Sequence, residues 1–190
     1  FSIRRGETLA LVGESGCGKT VTSLSLIRLL ADTAQVQADY MEVDGQKILE
    51  LTKDEARKLR GSKISMIFQE PMTSLNPVYK IERQLGEVFR LHEPGLSKQQ
   101  VFEKSVEILK RVGVPNPAER LKVYPHQLSG GLRQRVMIAI SLASSPQMLI
   151  ADEPTTALDV TIQAQIIDLL KELQRDMNMS ILLITHDFGV

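Results

Sequence analysis

The residue types that bind phosphate groups occur together near the start of the chain, in Gly13-Glu14-Ser15-Gly16-Cys17-Gly18-Lys19-Thr20. This segment fits the pattern G-x-x-x-x-G-K-[ST], in which glycines allow tight turns and backbone amides point at an anion. The apolar run Thr8 to Val12 precedes it, and a helical stretch follows Lys19. We therefore predict a nucleotide site, with Lys19 reaching the β- and γ-phosphates and the Thr20 hydroxyl binding Mg²⁺.

This predicted phosphate loop contains the only cysteine of the chain. Cys17 occupies a free position of the pattern, and we interpret it as a tolerated small residue. The alternative is sensitivity to oxidation or alkylation, because a helix N-terminus can lower the pKa of a thiol. The residues of the loop that we predict to bind the nucleotide are Gly13, Ser15, Gly16, Cys17, Gly18, Lys19 and Thr20.

A pair of adjacent carboxylates follows a second apolar run, Met148 to Ala151. Asp152 stands where a carboxylate at a strand end binds Mg²⁺, usually through water. Glu153 comes next and could orient or deprotonate an attacking water molecule. The alternative for this pair is a cap of the following turn, with Pro154 ending the strand. A carboxylate pair at a strand end, after a phosphate loop, favours the catalytic interpretation.

Composition limits the classes of partner. The 23 basic and 23 acidic residues cancel and aromatic residues make up only 4%, so neither charge nor base stacking favours nucleic-acid binding. A single cysteine excludes a disulfide framework and suits a reducing cytosol. No apolar run approaches the roughly 18 residues needed to cross a bilayer, so any membrane-spanning part is expected in other chains.

Patterning predicts alternating strands and helices. The predicted strands are Phe1–Ile3, Thr8–Val12, Asp39–Val43, Ile64–Phe68, Met148–Ala151 and Ile181–Ile184, with a tight turn at Asp44-Gly45. The predicted helices follow Lys19 to about Leu30, begin at the capping boxes of Thr52 and Ser97, and cover Gly131–Ser144 and Thr161–Met177. Pro115 and Pro117 are expected to end the helix that begins at Ser97. The chain starts within a predicted strand and stops soon after the last one, so we expect a domain fragment that is truncated at both ends.

This order predicts an α/β fold with a mostly parallel sheet flanked by helices. The segment 69–145 has little strand character, and we predict that it forms a helical lobe inserted between two halves of the sheet. Ligands of such sheets lie beyond the carboxyl ends of the strands. Because Lys19, Gln69, Asp152 and His186 each follow a predicted strand, we expect them to converge at one edge.

The chain resembles the ATP-binding cassette (ABC) family of P-loop NTPases with a RecA-like core. Leu128-Ser129-Gly130-Gly131-Leu132-Arg133-Gln134-Arg135 resembles the family signature, with Leu132 where Gln or Met is commoner. Gln69 resembles the glutamine of the Q-loop, Ala157-Leu158-Asp159 the D-loop, and His186 the switch histidine.

The resemblance implies roles for these residues. It implies that Glu153, His186 and Gln69 are catalytic and that Thr20, Gln69 and Asp152 bind Mg²⁺. It also implies that Ser129, Gly130 and Gly131 contact the γ-phosphate held by an opposite subunit, and that Asp159 of the D-loop is a further nucleotide-binding residue. Arg133 and Arg135 are interpreted as a structural or solvated helix face. Residues 1–68 and 146–190 are expected to form the RecA-like core, and residues 69–145 the helical subdomain that carries the signature.

A narrower resemblance is to the ATPases of oligopeptide and dipeptide importers. The block Phe68 to Pro77, the segment Tyr124 to Leu128 and the run Ala151 to Thr161 are similar to that group, which also includes nickel and glutathione importers. It implies a second ATPase subunit, two transmembrane permease subunits and an extracytoplasmic solute-binding protein. It also implies a peripheral position at the cytoplasmic face of the cell membrane.

Three functions therefore compete. The first is an ATP-hydrolysing subunit that energises a membrane importer of di- or oligopeptides, or of nickel or another small solute by the same mechanism. The second is a soluble ABC ATPase of DNA repair or ribosomes, although no long coiled coil separates the motifs. The third is a degenerate cassette that only binds, against which the intact Lys19, Asp152, Glu153 and His186 argue. The first interpretation is preferred.

Overall fold

The computed structural model describes residues 1–14, 16–69, 74–156, 158–187 and 189. In these ranges the elements are, in chain order, β1 (Thr8–Val12), α1 (Lys19–Leu26), β2 (Glu42–Val43), β3 (Gln46–Lys47), α2 (Lys53–Ser62), β4 (Ile64–Ile67), α3 (Ile81–His92), α4 (Lys98–Arg111), α5 (Pro117–Arg120), α6 (Gly130–Leu142), β5 (Met148–Asp152), α7 (Val160–Met177) and β6 (Ser180–Thr185). The predicted α/β class is confirmed.

Four strands form one parallel sheet in the order β1-β6-β5-β4. Val12 stands opposite Thr185, and Asp152 stands opposite Ile184. The strands therefore end together at one edge of the sheet, as the sequence predicted. The short strands β2 and β3 form a separate antiparallel hairpin around Asp44 and Gly45, whose φ angles are 51° and 78°. Both angles are positive, as a tight two-residue hairpin turn requires.

Alternate residues of the central strands enter different hydrophobic clusters, because successive side chains of a strand point to opposite faces. Leu149, Ala151 and Ile181 pack in a cluster with helices α3, α4, α6 and α7, whose buried residues include Leu85, Phe89, Leu109, Val136 and Ile166. Ile150 and Leu182 pack in the other cluster, with Ile27, Ile48, Leu59 and Ile64. Both faces of the sheet are therefore covered, which is typical of parallel sheets.

The helices of the middle segment pack against one another and against the sheet. α3 contacts α4, both contact α6, and α6 also contacts β4. Both predicted capping boxes are formed, since Thr52 accepts from the backbone N–H of Glu55 and Ser97 from that of Gln100. In the part of the chain that the structure describes, no helix is both long and apolar enough to span a membrane.

Two predictions near the start of the chain were wrong. Phe1–Ile3 is not a strand: the backbone N–H of Glu7 bonds the carbonyl of Arg4 at 3.0 Å, and this turn separates the segment from β1. α1 ends at Leu26 rather than near Leu30, because Arg28 adopts a left-handed conformation with φ of 53°. The guanidinium of Arg28 donates to two backbone carbonyls, those of Ile48 and Leu49, which holds this turn in place.

Two further predictions need correction. The predicted strand 39–43 is reduced to Glu42–Val43, because its hairpin partner has only two paired residues. The helix that begins after Ser97 ends at Arg111, ahead of both prolines, where Gly113 takes a φ of 74°. Pro117 does not end that helix but begins α5, where its missing N–H costs no hydrogen bond.

Candidate functional site

The phosphate loop joins the end of β1 to the first turn of α1. The backbone N–H of Gly13 bonds the carbonyl of Thr185 at 3.4 Å, which fastens the loop to the end of β6. Gly16 and Gly18 have φ angles of 81° and 95°, which favour glycine. A Cβ atom on Gly13 would lie 2.9 Å from Cys17 Sγ, so a side chain there would displace the thiol. The loop is therefore tight, and its amides lead into a helix N-terminus that attracts anions.

Lys19 is buried within this loop. Its Nζ donates to the carbonyls of Gly13 and Glu14, both at 2.7 Å, and lies 3.8 Å from Cys17 Sγ. These two neutral carbonyls hold the ammonium beside the amides that would receive a phosphate. A phosphate anion could replace the carbonyls as its hydrogen-bond acceptor. Thr20 follows on the exposed side of the helix start. Ser15, the remaining predicted residue of the loop, lies outside the described residues.

Asp152 ends β5 and is only 1% exposed. Among the described residues, its Oδ1 atom has no hydrogen-bond partner. Burial raises the pKa of Asp152 above its usual value, and the charge of Glu153 adds to this, while the Thr20 hydroxyl and Lys19 oppose it. A buried carboxylate oxygen without a donor, beside a threonine hydroxyl, is a donor set that fits Mg²⁺.

Glu153 is the centre of a hydrogen-bond cluster. Its Oε2 accepts from Gln69 Nε2 at 2.8 Å and from Thr156 Oγ1 at 2.9 Å, and its Oε1 lies 3.0 Å from His186 Nδ1. Burial acts to raise the pKa of Glu153, but the hydrogen bonds from His186 and Thr156, with the nearby positive charge, bring it below its usual value. Glu153 is therefore ionised at neutral pH and can accept a proton or a hydrogen bond from water.

The backbone at Glu153 is unusual. Its φ of 46° lies in the left-handed region, and its N–H bonds the carbonyl of Ile184 at 2.9 Å. The chain turns there, since the N–H of Thr156 bonds the Glu153 carbonyl at 3.1 Å. Non-glycine residues in this conformation persist only where the surroundings hold them, and they are common at active sites.

The signature residues lie at the start of α6. Ser129 caps this helix, accepting from the N–H of Leu132 at 3.3 Å. A Cβ atom on Gly131 would lie 3.2 Å from Ile162 Cγ2, and one on Gly130 would lie 3.7 Å from Leu158 Cδ2. The approach is tight at Gly131, whereas a side chain at Gly130 would make an ordinary contact, so Gly131 is the residue that lets α6 approach α7 closely.

Asp159 caps α7 and accepts from the N–H of Ile162 at 3.0 Å. Among the described residues, no hydrogen bond or ion pair joins Ser129, Gly130, Gly131 or Asp159 to the phosphate loop. Ala157, the first residue of the predicted D-loop, lies outside the described part, as do residues 70–73 of the block that follows Gln69.

The structure thus brings together Gln69, Glu153 and His186, and places Thr20, Lys19 and Asp152 beside them. The sequence analysis did not predict the role of Thr156. A threonine three residues after Glu153, in a predicted turn, could have indicated a hydrogen bond to this carboxylate. Gln134, a buried amide that donates to the carbonyl of Pro154, was also not predicted. Arg135 is structural, as predicted, since it donates to the carbonyl of Val112 at 2.7 Å.

The chain is similar to known ATP-binding cassettes. The ABC transporter family model matches residues 1–156. The dipeptide transport ATP-binding protein DppD of Escherichia coli is 50% identical over 190 residues, which are 100% of this chain and 58% of that protein. The oligopeptide transport ATP-binding protein OppD of Salmonella typhimurium is 53% identical over 190 residues, or 100% of this chain and 56% of that protein. The chain thus spans little more than half the length of these relatives.

A solved structure gives the same similarity at the level of the fold. The dimeric post-hydrolysis state of the ATP-binding cassette MJ0796, bound to ADP and Pi, superposes with a TM-score of 0.86 at 29% identity. The match covers 100% of this chain and 78% of that one.

Replacing Asp152 tests the electrostatics of the site in the ligand-free protein. We expect Asp152→Asn to raise the free energy of unfolding at pH 7 by about 1 to 3 kcal/mol, because it removes a charge that burial disfavours and whose Oδ1 atom has no described hydrogen-bond partner. The pKa of Asp152 is raised by folding, so its ionised form opposes folding at neutral pH. The gain should shrink as the pH falls towards about 4, the ordinary pKa of aspartate.

Urea unfolding of the ligand-free chain measures this effect. Asp168→Asn is the matched control, because Asp168 has an exposed side chain that forms an ion pair with Lys171 on the same helix. The control should change the free energy of unfolding by less than about 0.5 kcal/mol. If the Asp152→Asn protein is less stable than the wild type at pH 7, the charge of Asp152 does not destabilise the folded state.

Proposed function

The chain belongs to the ABC transporter family, and from this premise we propose that it is the ATP-binding and ATP-hydrolysing part of a subunit that energises a membrane importer of di- or oligopeptides. The observation that carries the ATPase proposal is the convergence of Lys19, Gln69, Asp152, Glu153 and His186 at one edge of the sheet. The names of the relatives support the peptide cargo. The four strand ends supply what phosphoryl transfer requires, which is positioning and charge.

ATP binding would begin at the phosphate loop. The amides of the loop and the N-terminus of α1 would receive the phosphates, and Lys19 Nζ would exchange the carbonyls of Gly13 and Glu14 for phosphate oxygens. Thr20 and Asp152 are the residues that would hold Mg²⁺, which neutralises phosphate charge when bound, and Gln69 remains a predicted third ligand. The buried Oδ1 of Asp152, which lacks a donor, supports this assignment.

Hydrolysis would then rely on Glu153. Its carboxylate is ionised, and its hydrogen bonds with Gln69, Thr156 and His186 fix its position. It would orient the attacking water and accept its proton, while His186 would stand beside the γ-phosphate. Because Gln69 leads from β4 into the helical segment, it would connect the state of the nucleotide with that segment.

The signature residues would act on a second cassette. Among the described residues, no hydrogen bond joins Ser129, Gly130 or Gly131 to the phosphate loop of their own chain, which supports a contact with the γ-phosphate bound by a partner subunit. Asp159 would be a further nucleotide-binding residue. ATP would then clamp two subunits together, and hydrolysis would release them.

The proposal extends to the complete transporter. We propose that it contains two transmembrane permease subunits and an extracytoplasmic solute-binding protein, and that the ATPase lies at the cytoplasmic face of the cell membrane. Residues 1–68 and 146–190 would form the RecA-like core and residues 69–145 the helical subdomain.

Glu153→Gln should keep ATP affinity within about twofold but lower turnover by at least about 100-fold, because the amide cannot accept the proton of water. It should also trap an ATP-bound dimer, visible by size-exclusion chromatography of the full-length subunit. Glu172→Gln is the matched control, since Glu172 is exposed on α7. Turnover of the Glu153 variant equal to that of the control would remove the proposed role.

Ser129→Arg should leave ATP binding to the monomer unchanged and block hydrolysis, because a bulky cation at the start of α6 would prevent closure on a partner. Ser97→Arg is the matched control, because Ser97 also caps a helix and its loss costs a similar amount, about 1 kcal/mol. If both variants hydrolyse ATP equally well, the signature does not act across an interface.

Reconstitution tests the cargo. The full-length subunit, with its permeases and solute-binding protein in liposomes, should hydrolyse ATP faster when di- or oligopeptides are added. Ni²⁺ in a parallel series is the comparison. If only Ni²⁺ stimulates ATP hydrolysis, the proposed mechanism still applies but the peptide cargo is refuted. Turnover without response to any solute would favour a soluble ABC ATPase.

A further inference from the structure

Gln134 is a polar side chain in the buried face of α6. It is only 2% exposed and lies beside the fully buried Val136 and Ile138. Its Nε2 donates to the backbone carbonyl of Pro154. A buried amide needs a hydrogen-bond partner, so a core position filled by glutamine calls for an explanation beyond packing.

The acceptor lies beside the candidate catalytic carboxylate. Pro154 follows Glu153 directly and has no N–H, so its carbonyl is its only backbone hydrogen-bonding group. On the other side, the N–H of Glu153 bonds the carbonyl of Ile184 at 2.9 Å. The left-handed backbone at Glu153 is therefore held from β6 at one end and from α6 at the other.

The same helix carries the signature. Ser129 caps α6, and Gln134 stands about 7.5 Å further along its axis. The helix is also fixed to the sheet below, since Ser141 Oγ donates to the carbonyl of Met66 at 3.1 Å. A rigid element thus connects the residue expected to contact the partner's nucleotide with the loop that carries Glu153.

A second glutamine supports the same loop, but locally. Gln163 Nε2 donates to the carbonyls of Thr155 and Leu158 at 3.3 and 3.1 Å, from the first turn of α7. Gln163 therefore braces the loop against the helix that follows it. Only the bond of Gln134 joins the loop to the signature helix among the described hydrogen bonds.

We propose that Gln134 is a positioning residue for hydrolysis: through its bond to the Pro154 carbonyl, it sets the place of Glu153 relative to the signature helix. The proposal rests on the proposed function, because it takes Glu153 as the residue that orients water. Loss of the bond would leave ATP binding intact, since no described hydrogen bond joins Gln134 to the phosphate loop, and would misplace the carboxylate.

Two variants of the full-length subunit test this role. Gln134→Met fills the same volume without a donor, and Gln134→Glu keeps the shape but replaces the NH₂ group by an oxygen. We expect kcat to fall about tenfold to hundredfold in both, as small displacements of catalytic groups do. The KM for ATP and the affinity for a non-hydrolysable ATP analogue should stay within twofold of the wild type.

Hydrogen exchange gives a readout that does not need turnover. In the ligand-free protein, the peptide 153–158 should exchange at least tenfold faster in the Gln134 variants than in the wild type. Ser141→Ala is the matched control, because it removes a buried bond from the same helix at a site away from the loop. It should change neither kcat nor the exchange of this peptide by more than twofold, even where it lowers Tm.

The outcomes separate the two proposals. Unchanged exchange and unchanged kcat in both Gln134 variants would overturn the positioning role, as would an equal loss of kcat in Ser141→Ala. A wild-type subunit that binds but does not hydrolyse ATP would refute the proposed function. In that case, unaltered exchange of peptide 153–158 in the Gln134 variants would still refute the link between Gln134 and the loop.

Discussion

The parallel pairing of four strands in the order β1-β6-β5-β4 is the constraint on which the site depends. Four segments far apart in the sequence meet because their strands end at one edge. The register is held by packing, since Leu149 and Ile150 enter different clusters on opposite faces of the sheet. A shift of one residue would exchange these faces and move Asp152 with them. The hydrophobic pattern of β5 therefore determines where the carboxylate lies.

Two adjacent carboxylates acquire different chemistry from their surroundings. Asp152 ends the strand in a buried position, where an oxygen without a donor favours a cation. Glu153 lies one residue later, where the backbone turns into the left-handed region and three side chains surround the carboxylate. Burial dominates at Asp152 and raises its pKa, whereas hydrogen bonds prevail at Glu153 and lower its pKa. The turn at Glu153, which costs of the order of 1 to 3 kcal/mol, places the two carboxylates in different environments.

Local patterns predicted most of the fold and most of the residues at the sheet edge. The central strands, both capping boxes and the positions of Lys19, Gln69, Asp152 and His186 followed from spacing alone. The errors concern features that depend on distant contacts. The end of α1 depends on bonds from Arg28 to carbonyls in another segment, and Gln134 meets its acceptor only after the chain has folded. The periodicity of apolar residues indicates which face of a helix or strand is buried. It does not indicate which distant carbonyl will accept a hydrogen bond from a side chain.

The separation of the signature from the phosphate loop has a structural consequence. A Cβ atom on Gly131 would lie only 3.2 Å from Ile162 Cγ2, so the start of α6 lies close to the start of α7. Along the chain, residues 154–156 come between Glu153 and this contact. Under the proposed function, a partner subunit that presses on this contact would therefore act on residues 154–156, and through them on Glu153. In a dimer of such chains, α6 would contact the nucleotide bound by the partner subunit. The same helix would also affect the position of Glu153 at its own subunit's nucleotide site.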